Sequence, residues 1–339
     1  MRLTRPSLAL CALLAPLALA GTASAQENFY AGKTINIVVG LSPGGGYDQY
    51  ARLLARHYNR NIPGNPTIVV QNMPGAGSLQ SVRYLDGSAA KDGTVITAFN
   101  PGLLIQSMTI PDKIKINFKN YAWLGSIGND LRICYTWGTK GIKNFDDLLK
   151  RDQVIMGDTG AGSSAYVNQK MLQQIFGMKL KQVLGYPGSA EKRIAIERGE
   201  LDGDCTSWTS TPEDWLRDKK IDVVVRFQEH ATHGLPESVP YAGDRITDPN
   251  KKKLFELLNA PADIGRPYIL SKDVPADRLK ILRDSFAKTM KDPQFNAEAD
   301  KMQLIIEPID GDQVQKMLQE LYSTPPDMVA AAKEISGDQ

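Results

Sequence analysis

The sequence is poor in the residues most often recruited for chemistry, with three histidines, three cysteines and four tryptophans in 339 residues. It has no surplus charge of one sign, 40 Lys plus Arg facing 38 Asp plus Glu, so no basic face for nucleic acid is implied. The apolar run from Leu8 to Ala20 falls short of the ~20 residues that a membrane-spanning helix needs. A phosphate loop requires Gly-Lys-Ser/Thr after its glycines, whereas Gly46 is followed by Tyr47 and Asp48, whose carboxylate would repel a polyphosphate. The dinucleotide fingerprint fails too, because Gln49 stands where the third glycine belongs. Gly-x-Ser-x-Gly is absent, which leaves Ser163 and Ser189 as weak nucleophile candidates with only His57 as a further base. His230 and His233 form His-x-x-His in a loop with no cysteine or carboxylate set to complete a metal site, so no metal and no cofactor is expected.

What is present describes an exported α/β protein. Arg2 and Arg5 precede the apolar run, and Ala23-Ser24-Ala25 supplies a small-residue cleavage site, so residues 1–25 read as a signal peptide. Cys11 follows Leu10, too large for the residue before a lipidated cysteine. Without the leader the charges balance, 38 against 38, and Cys134 and Cys205 remain in a compartment that permits disulfides. The length exceeds what one core usually serves, and 42% hydrophobic residues suffice for two lobes.

The chain repeats one grammar. Thr34 to Val39 reads as a strand that runs into Gly40-Leu41-Ser42-Pro43-Gly44-Gly45-Gly46 and then a helix carrying Tyr50, Leu53, Leu54 and Tyr58. Thr67 to Val70 leads to Pro74-Gly75-Ala76-Gly77 and a helix, and Thr94 to Phe99 is a third strand. After a connection around Trp123 and a strand from Leu131 to Trp137, the pattern restarts. Val154 to Met156 ends in Gly157 to Ser164, Gln182 to Leu184 ends in Gly185 to Ser189, and Leu201 to Thr206 is a strand. Such βαβ units favour parallel sheets. Residues 228–245 read as a loop, Lys251-Lys252-Lys253 as a solvated helix start, and the last hundred residues as mostly helix, near Asp277 to Met290 and Asp312 to Leu321. Trp215 reads as packing, while Trp208 reads equally as packing or as a ligand platform.

Four glycine loops thus fall at strand ends, where open α/β sheets hold ligands and helix N-termini favour anions. Any one alone is turn punctuation. Their recurrence, two per lobe, points to a shared anion site between lobes. Gly45→Val is expected to harm binding much more than Asp48→Asn, because a β-branched side chain would block backbone approach and resist positive φ.

The string Ile37-Val38-Val39-Gly40-Leu41-Ser42-Pro43-Gly44-Gly45-Gly46-Tyr47-Asp48, followed by Ala51-Arg52-Leu53-Leu54 and by Val70-Gln71-Asn72-Met73-Pro74-Gly75-Ala76-Gly77, resembles the Bug (TctC) family. These are periplasmic solute-binding proteins of tripartite tricarboxylate transporters. Asp92-Gly93-Thr94, Gly160-Ala161-Gly162-Ser163, Tyr186-Pro187-Gly188-Ser189 and Gly199-Glu200-Leu201-Asp202 match later motifs in the same order. The resemblance implies an α/β chain with a type II periplasmic binding protein fold, residues 26–126 plus 228–339 forming one lobe and 127–227 the other. It implies a monomer that catalyses nothing, closes on a small carboxylate and serves membrane transporter subunits, with no nucleic acid partner. A sensor-presenting subunit or an exported enzyme are the alternatives. Carried over, the first-lobe site is Pro43, Gly44, Gly45, Gly46, Tyr47 and Asp48 with Asn100 and Pro101. The second-lobe site is Thr159, Gly160, Ala161, Gly162 and Ser163 with Tyr186, Gly188 and Ser189. Thr206 stands where the family commonly has Asp, and Tyr47 where a smaller hydroxyl residue is usual, which implies an altered, more aromatic pocket. The resemblance also puts the strands of Cys134 and Cys205 side by side, which leaves a disulfide and two free thiols as equal alternatives.

Overall fold

The computed structural model describes residues 29–231 and 233–336; the expected signal peptide lies outside them. Among the described residues eleven strands build two sheets, each flanked by helices. The first contains β1 (Thr34–Val39), β2 (Thr67–Asn72), β3 (Val95–Ala98), β4 (Ala122–Ser126), β10 (Pro267–Leu270) and β11 (Ile309–Asp310), in the order β11-β4-β10-β3-β1-β2. The second contains β5 (Arg132–Trp137), β6 (Val154–Gly157), β7 (Leu180–Val183), β8 (Gly203–Ser207) and β9 (Ile221–Arg226), in the order β7-β6-β8-β5-β9. The chain leaves the first sheet after β4, builds the second, and returns at β10.

β1 is rich in β-branched residues and pairs in parallel with β2 and β3, so helices cover both faces and most of its residues are buried. β6 likewise pairs in parallel with β7 and β8. The expectation of parallel sheets holds for these βαβ units and fails elsewhere. β10 runs antiparallel to β3 and β4, β11 runs antiparallel to β4, and β5 runs antiparallel to β8 and β9. The connection around Trp123 is itself strand β4, its five residues all buried, with Trp123 edge-on to Phe99 and tilted against Phe118. Likewise the C-terminal hundred residues are not helix alone, because β10 and β11 lie in them. Both strands are only four and two residues long, too short to display a periodicity.

The helix Pro326–Ser336 packs on helix Gly102–Thr109 beside the first sheet and on helix Ser164–Phe176 beside the second. One C-terminal element therefore straddles both lobes, and apolar residues from both, Leu103, Leu104, Met171 and Ile335 among them, share one core cluster. Cys134 and Cys205 face each other directly across β5 and β8 and are disulfide-bonded.

Candidate functional site

The loops after β1, β2 and β3 face those after β6, β7 and β8, and backbone meets backbone between them. A Cβ added to Gly160 would lie 2.7 Å from Gly77 N, one on Gly102 would lie 2.6 Å from Ser164 N, and one on Gly188 would lie 2.2 Å from Ser42 Oγ. Only hydrogen fits there. Gly77 N–H donates to the Thr159 carbonyl (3.2 Å) and Ser42 N–H to the Pro187 carbonyl (3.1 Å). The Asn100 carboxamide oxygen accepts from Gly102 N (2.9 Å), Ser164 N (3.0 Å) and Ser164 Oγ (2.8 Å). At the rim, Ser42 Oγ donates to Glu191 (2.7 Å) and Arg193 to the Gly44 carbonyl (2.9 Å). The loop after β2 is held out of ordinary conformations, since Gly75, Ala76, Gly77 and Ser78 all have positive φ. Ser78 Oγ steadies it by accepting from Asn100 N at 3.1 Å.

These contacts border a cavity of about 30 Å³ between the lobes. Eight of the residues singled out in the sequence line it: Gly45, Gly46, Tyr47 and Asn100 from one side, Thr159, Ser163, Ser189 and Thr206 from the other. The remainder support it. Gly160, Gly162 and Gly188 form the glycine contacts between lobes. Pro43 is exposed, Pro101 is buried before helix Gly102–Thr109, and Ala161 and Tyr186 pack against apolar clusters. Asp48 turns its carboxylate under its own loop, accepting from Gly44 N, Arg52 Nε and Asn72 Nδ2, each at 2.9 Å. Burial would raise its pKa, but these donors prevail and hold it below the ordinary range. Gly45 corrects the expectation placed on it. Its φ is −89°, and a Cβ would meet nothing closer than 3.8 Å, so the demand for positive φ falls on Gly44, at 80°.

Sequence reasoning missed the charges. Arg132, Lys192 and Arg266 all line the cavity and all are buried. Arg266 lies under Tyr47 and Tyr50, its guanidinium 4.4 and 5.1 Å from their ring centres, and donates through Nη2 to Asp130 (3.2 Å), Ser207 (2.5 Å) and Thr209 (3.4 Å). Its Nε is buried without a partner. Arg132 donates to Asn168 (3.0 Å), Asp130 (3.4 Å) and the Cys205 carbonyl (3.1 Å). Lys192 Nζ lies 2.6 Å from Asp204. Burial pushes Asp130 upward, yet the two guanidiniums outweigh it and hold its pKa below the usual carboxylate range. The signals were faint: Arg132 interrupts an apolar strand, Arg266 precedes one, and Lys192 sits in a Glu-Lys-Arg run that resembles a solvated helix face.

The cavity opens beside a wider groove of about 680 Å³, lined by Trp208, Arg193, His233 and residues 300–305, with Ser210 common to both. Trp208 belongs to that groove and donates to the His233 carbonyl, while Trp215 is buried. The groove gathers no comparable set of buried charges, so the cavity between the lobes is the candidate site. His57, the base weighed for a hydrolase, pairs with Glu298 at 2.5 Å and does not line it.

No protein-family model matches the chain, and no curated protein sequence matches it significantly. Solved structures do. The periplasmic binding protein BugD superposes with a TM-score of 0.74 at 17% identity, over 91% of this chain and 99% of its own. MatC from Rhodopseudomonas palustris with bound malate gives 0.72 at 17% identity, over 88% and 99%. Rpa4515 of the same organism with adipate gives 0.71 at 13%, over 90% and 97%. At such identities the likeness is one of fold, and the fold is that of the two-lobed periplasmic binding proteins.

Proposed function

We propose that the chain is an extracytoplasmic solute-binding protein of the Bug (TctC) type, which captures a small carboxylate between its lobes and hands it unchanged to the membrane subunits of a tripartite transporter. The observation that carries this reading is the convergence of glycine loops from both sheets on one cavity lined by Arg132, Lys192 and Arg266. Exposed backbone and buried cations suit an anion, and closure of two lobes around it is the means of retention. Malate and adipate in the two R. palustris structures are carboxylates held on the same fold. The Pro43 to Asp48 and Asn72 to Gly77 strings support the family assignment.

On this reading the lobes are residues 26–126 with 228–339 and residues 127–227, a division supported by sheet membership. Residues 1–25 direct export to the periplasm and are removed. Ser163, weighed as a nucleophile, instead caps helix Ser164–Phe176 by accepting from Tyr166 N, in keeping with binding without turnover. Denaturing the purified protein and identifying the released small molecule by mass spectrometry tests the proposal. A carboxylic acid at near one equivalent supports it, and a nucleotide or a peptide refutes it.

A further inference from the structure

The buried charges around the cavity do not balance. Three cations line it, Arg132, Lys192 and Arg266, but only two carboxylates are tied to them. Asp130 is shared between Arg132 (3.4 Å) and Arg266 (3.2 Å), and Asp204 serves Lys192 at 2.6 Å. A third buried carboxyl, Asp158, accepts from Gln182 through one oxygen and leaves the other unpartnered. None of the three cations is bonded to it, and burial pushes its pKa well above the usual range, against the charged form. At the rim Glu191 and Arg193 add one charge of each sign.

The surplus positive charge is localised on Arg266. Its carboxylate partner is divided with Arg132, its bonds to Asp130, Ser207 and Thr209 all leave through Nη2, and Nε is buried and unsatisfied in a residue that lines the cavity. A buried cation that shares its one carboxylate with another is incompletely compensated until a further anion arrives, and a carboxylate can take two guanidinium N–H donors at once. A second carboxylate on the ligand would find no further buried cation with an open donor inside the cavity, since Arg193 at the rim already donates to the Gly44 and Ser210 carbonyls, and it would be desolvated with little compensation. The remaining lining is uncharged and includes hydroxyl groups of Ser189, Thr206, Ser207 and Ser210, and the cavity measures only about 30 Å³.

We infer that the cleft is selective for a short carboxylate with a single negative charge, seated on Arg266 and bearing hydroxyl or keto oxygens for the surrounding hydroxyl groups, in preference to dicarboxylates. This rests on the reading of the protein as a carboxylate-binding one. It sets the chain apart from the malate- and adipate-bound structures of the same fold, whose ligands carry two carboxylates.

Calorimetric titration of the purified chain lacking residues 1–25 with glycolate, lactate and pyruvate, and in parallel with malonate, malate and adipate, tests the inference. At least one of the monocarboxylates should bind about tenfold or more tightly than every dicarboxylate, the effect of leaving one charge buried and unpaired. A dicarboxylate that binds as well or better overturns the inference and leaves the carboxylate-binding reading intact, whereas no binding by either class overturns both. Thr206→Asp, which cancels the surplus charge from within the cavity, should weaken the monocarboxylate by about tenfold or more beyond the loss in Thr206→Asn, which removes the same hydroxyl without adding charge. Arg266→Lys, which keeps the charge, should retain more affinity than Arg266→Gln, with circular dichroism reporting whether each variant is folded. Equal affinity in Thr206→Asp and Thr206→Asn, both folded, contradicts the charge argument.

Discussion

The carboxamide oxygen of Asn100 accepts hydrogen bonds from both the backbone N–H and the hydroxyl of Ser164, at 3.0 and 2.8 Å, so a side chain at the end of β3 in one lobe holds the first turn of a helix in the other. A third bond, from Gly102 N, fixes the carboxamide in place. The pair acts as a latch between lobes, and its loss falls on the closed state more than on either lobe alone. Asn100→Ala should therefore keep a normal unfolding transition while ligand affinity falls about tenfold or more, as expected for two lost hydrogen bonds in a buried contact. Small-angle scattering should show a larger radius of gyration for the variant at saturating ligand. An unchanged affinity would show that the latch is incidental.

The glycine contacts predict opposite outcomes at two neighbouring loops. A methyl on Gly102 would press on Ser164 N at 2.6 Å and on the Gly162 carbonyl at 2.8 Å, backbone atoms that cannot step aside without parting the lobes. A methyl on Gly45 would rest in ordinary contact with Ser189 at 3.8 Å. Gly102→Ala should thus weaken binding far more than Gly45→Ala. The same titration applied to both variants decides it.

Asp48 organises its loop. Its folded pKa is depressed, so the stability it supplies is fully present above the unfolded value near 3.8 and is lost as pH falls through the folded value. Asp48→Asn should cost about 2 kcal/mol at pH 7, the scale of hydrogen bonds to a charged group, and nothing well below pH 3. Denaturant unfolding at the two pH values measures the difference.

Asp158 has the opposite sign. Burial, only partly offset by Lys192, raises its folded pKa, so protonation is favoured in the fold while the unfolded carboxyl ionises near 3.8. Its contribution to stability is most favourable below that value and declines as pH rises towards the folded pKa. Asp158→Asn should flatten this decline, gaining on the wild type as pH rises above the unfolded value near 3.8 in denaturant unfolding. Parallel profiles would place the carboxyl in a less desolvated state than its burial indicates.

The Cys134–Cys205 bond closes a sequence separation of 71 residues. In the chain-entropy picture a loop of that length restricts the unfolded state by about 4 kcal/mol. Cys134→Ala together with Cys205→Ala should lower unfolding free energy by that order, which denaturant titration reads directly.

Strand-glycine-helix units were legible because β-branched runs and Gly-rich turns are local signals, and β1, β2, β3 and β6 lie where those signals put them. The antiparallel strands β4, β10 and β11 were not, since pairing over more than a hundred residues, as between Tyr268 and Gly125, leaves no mark on a short apolar segment. Half of the candidate site followed the same division. Gly45, Gly46, Asn100, Thr159 and Ser163 sit on motif loops, whereas Arg266, Arg132 and Lys192 gain their meaning only from tertiary neighbours such as Asp130 and Tyr47. A buried arginine and a solvated one look alike in sequence.

The account stands or falls on capture of a carboxylate by the native two-lobed state. A thermal-shift titration across small organic acids, with nucleotides and sugars as controls, measures this most directly, because a ligand that binds only the folded chain raises Tm as its concentration rises. At least one carboxylate should raise Tm progressively, with the effect abolished in Arg266→Gln. Stabilisation by nucleotides or sugars alone, or a carboxylate response that survives Arg266→Gln undiminished, would contradict the account.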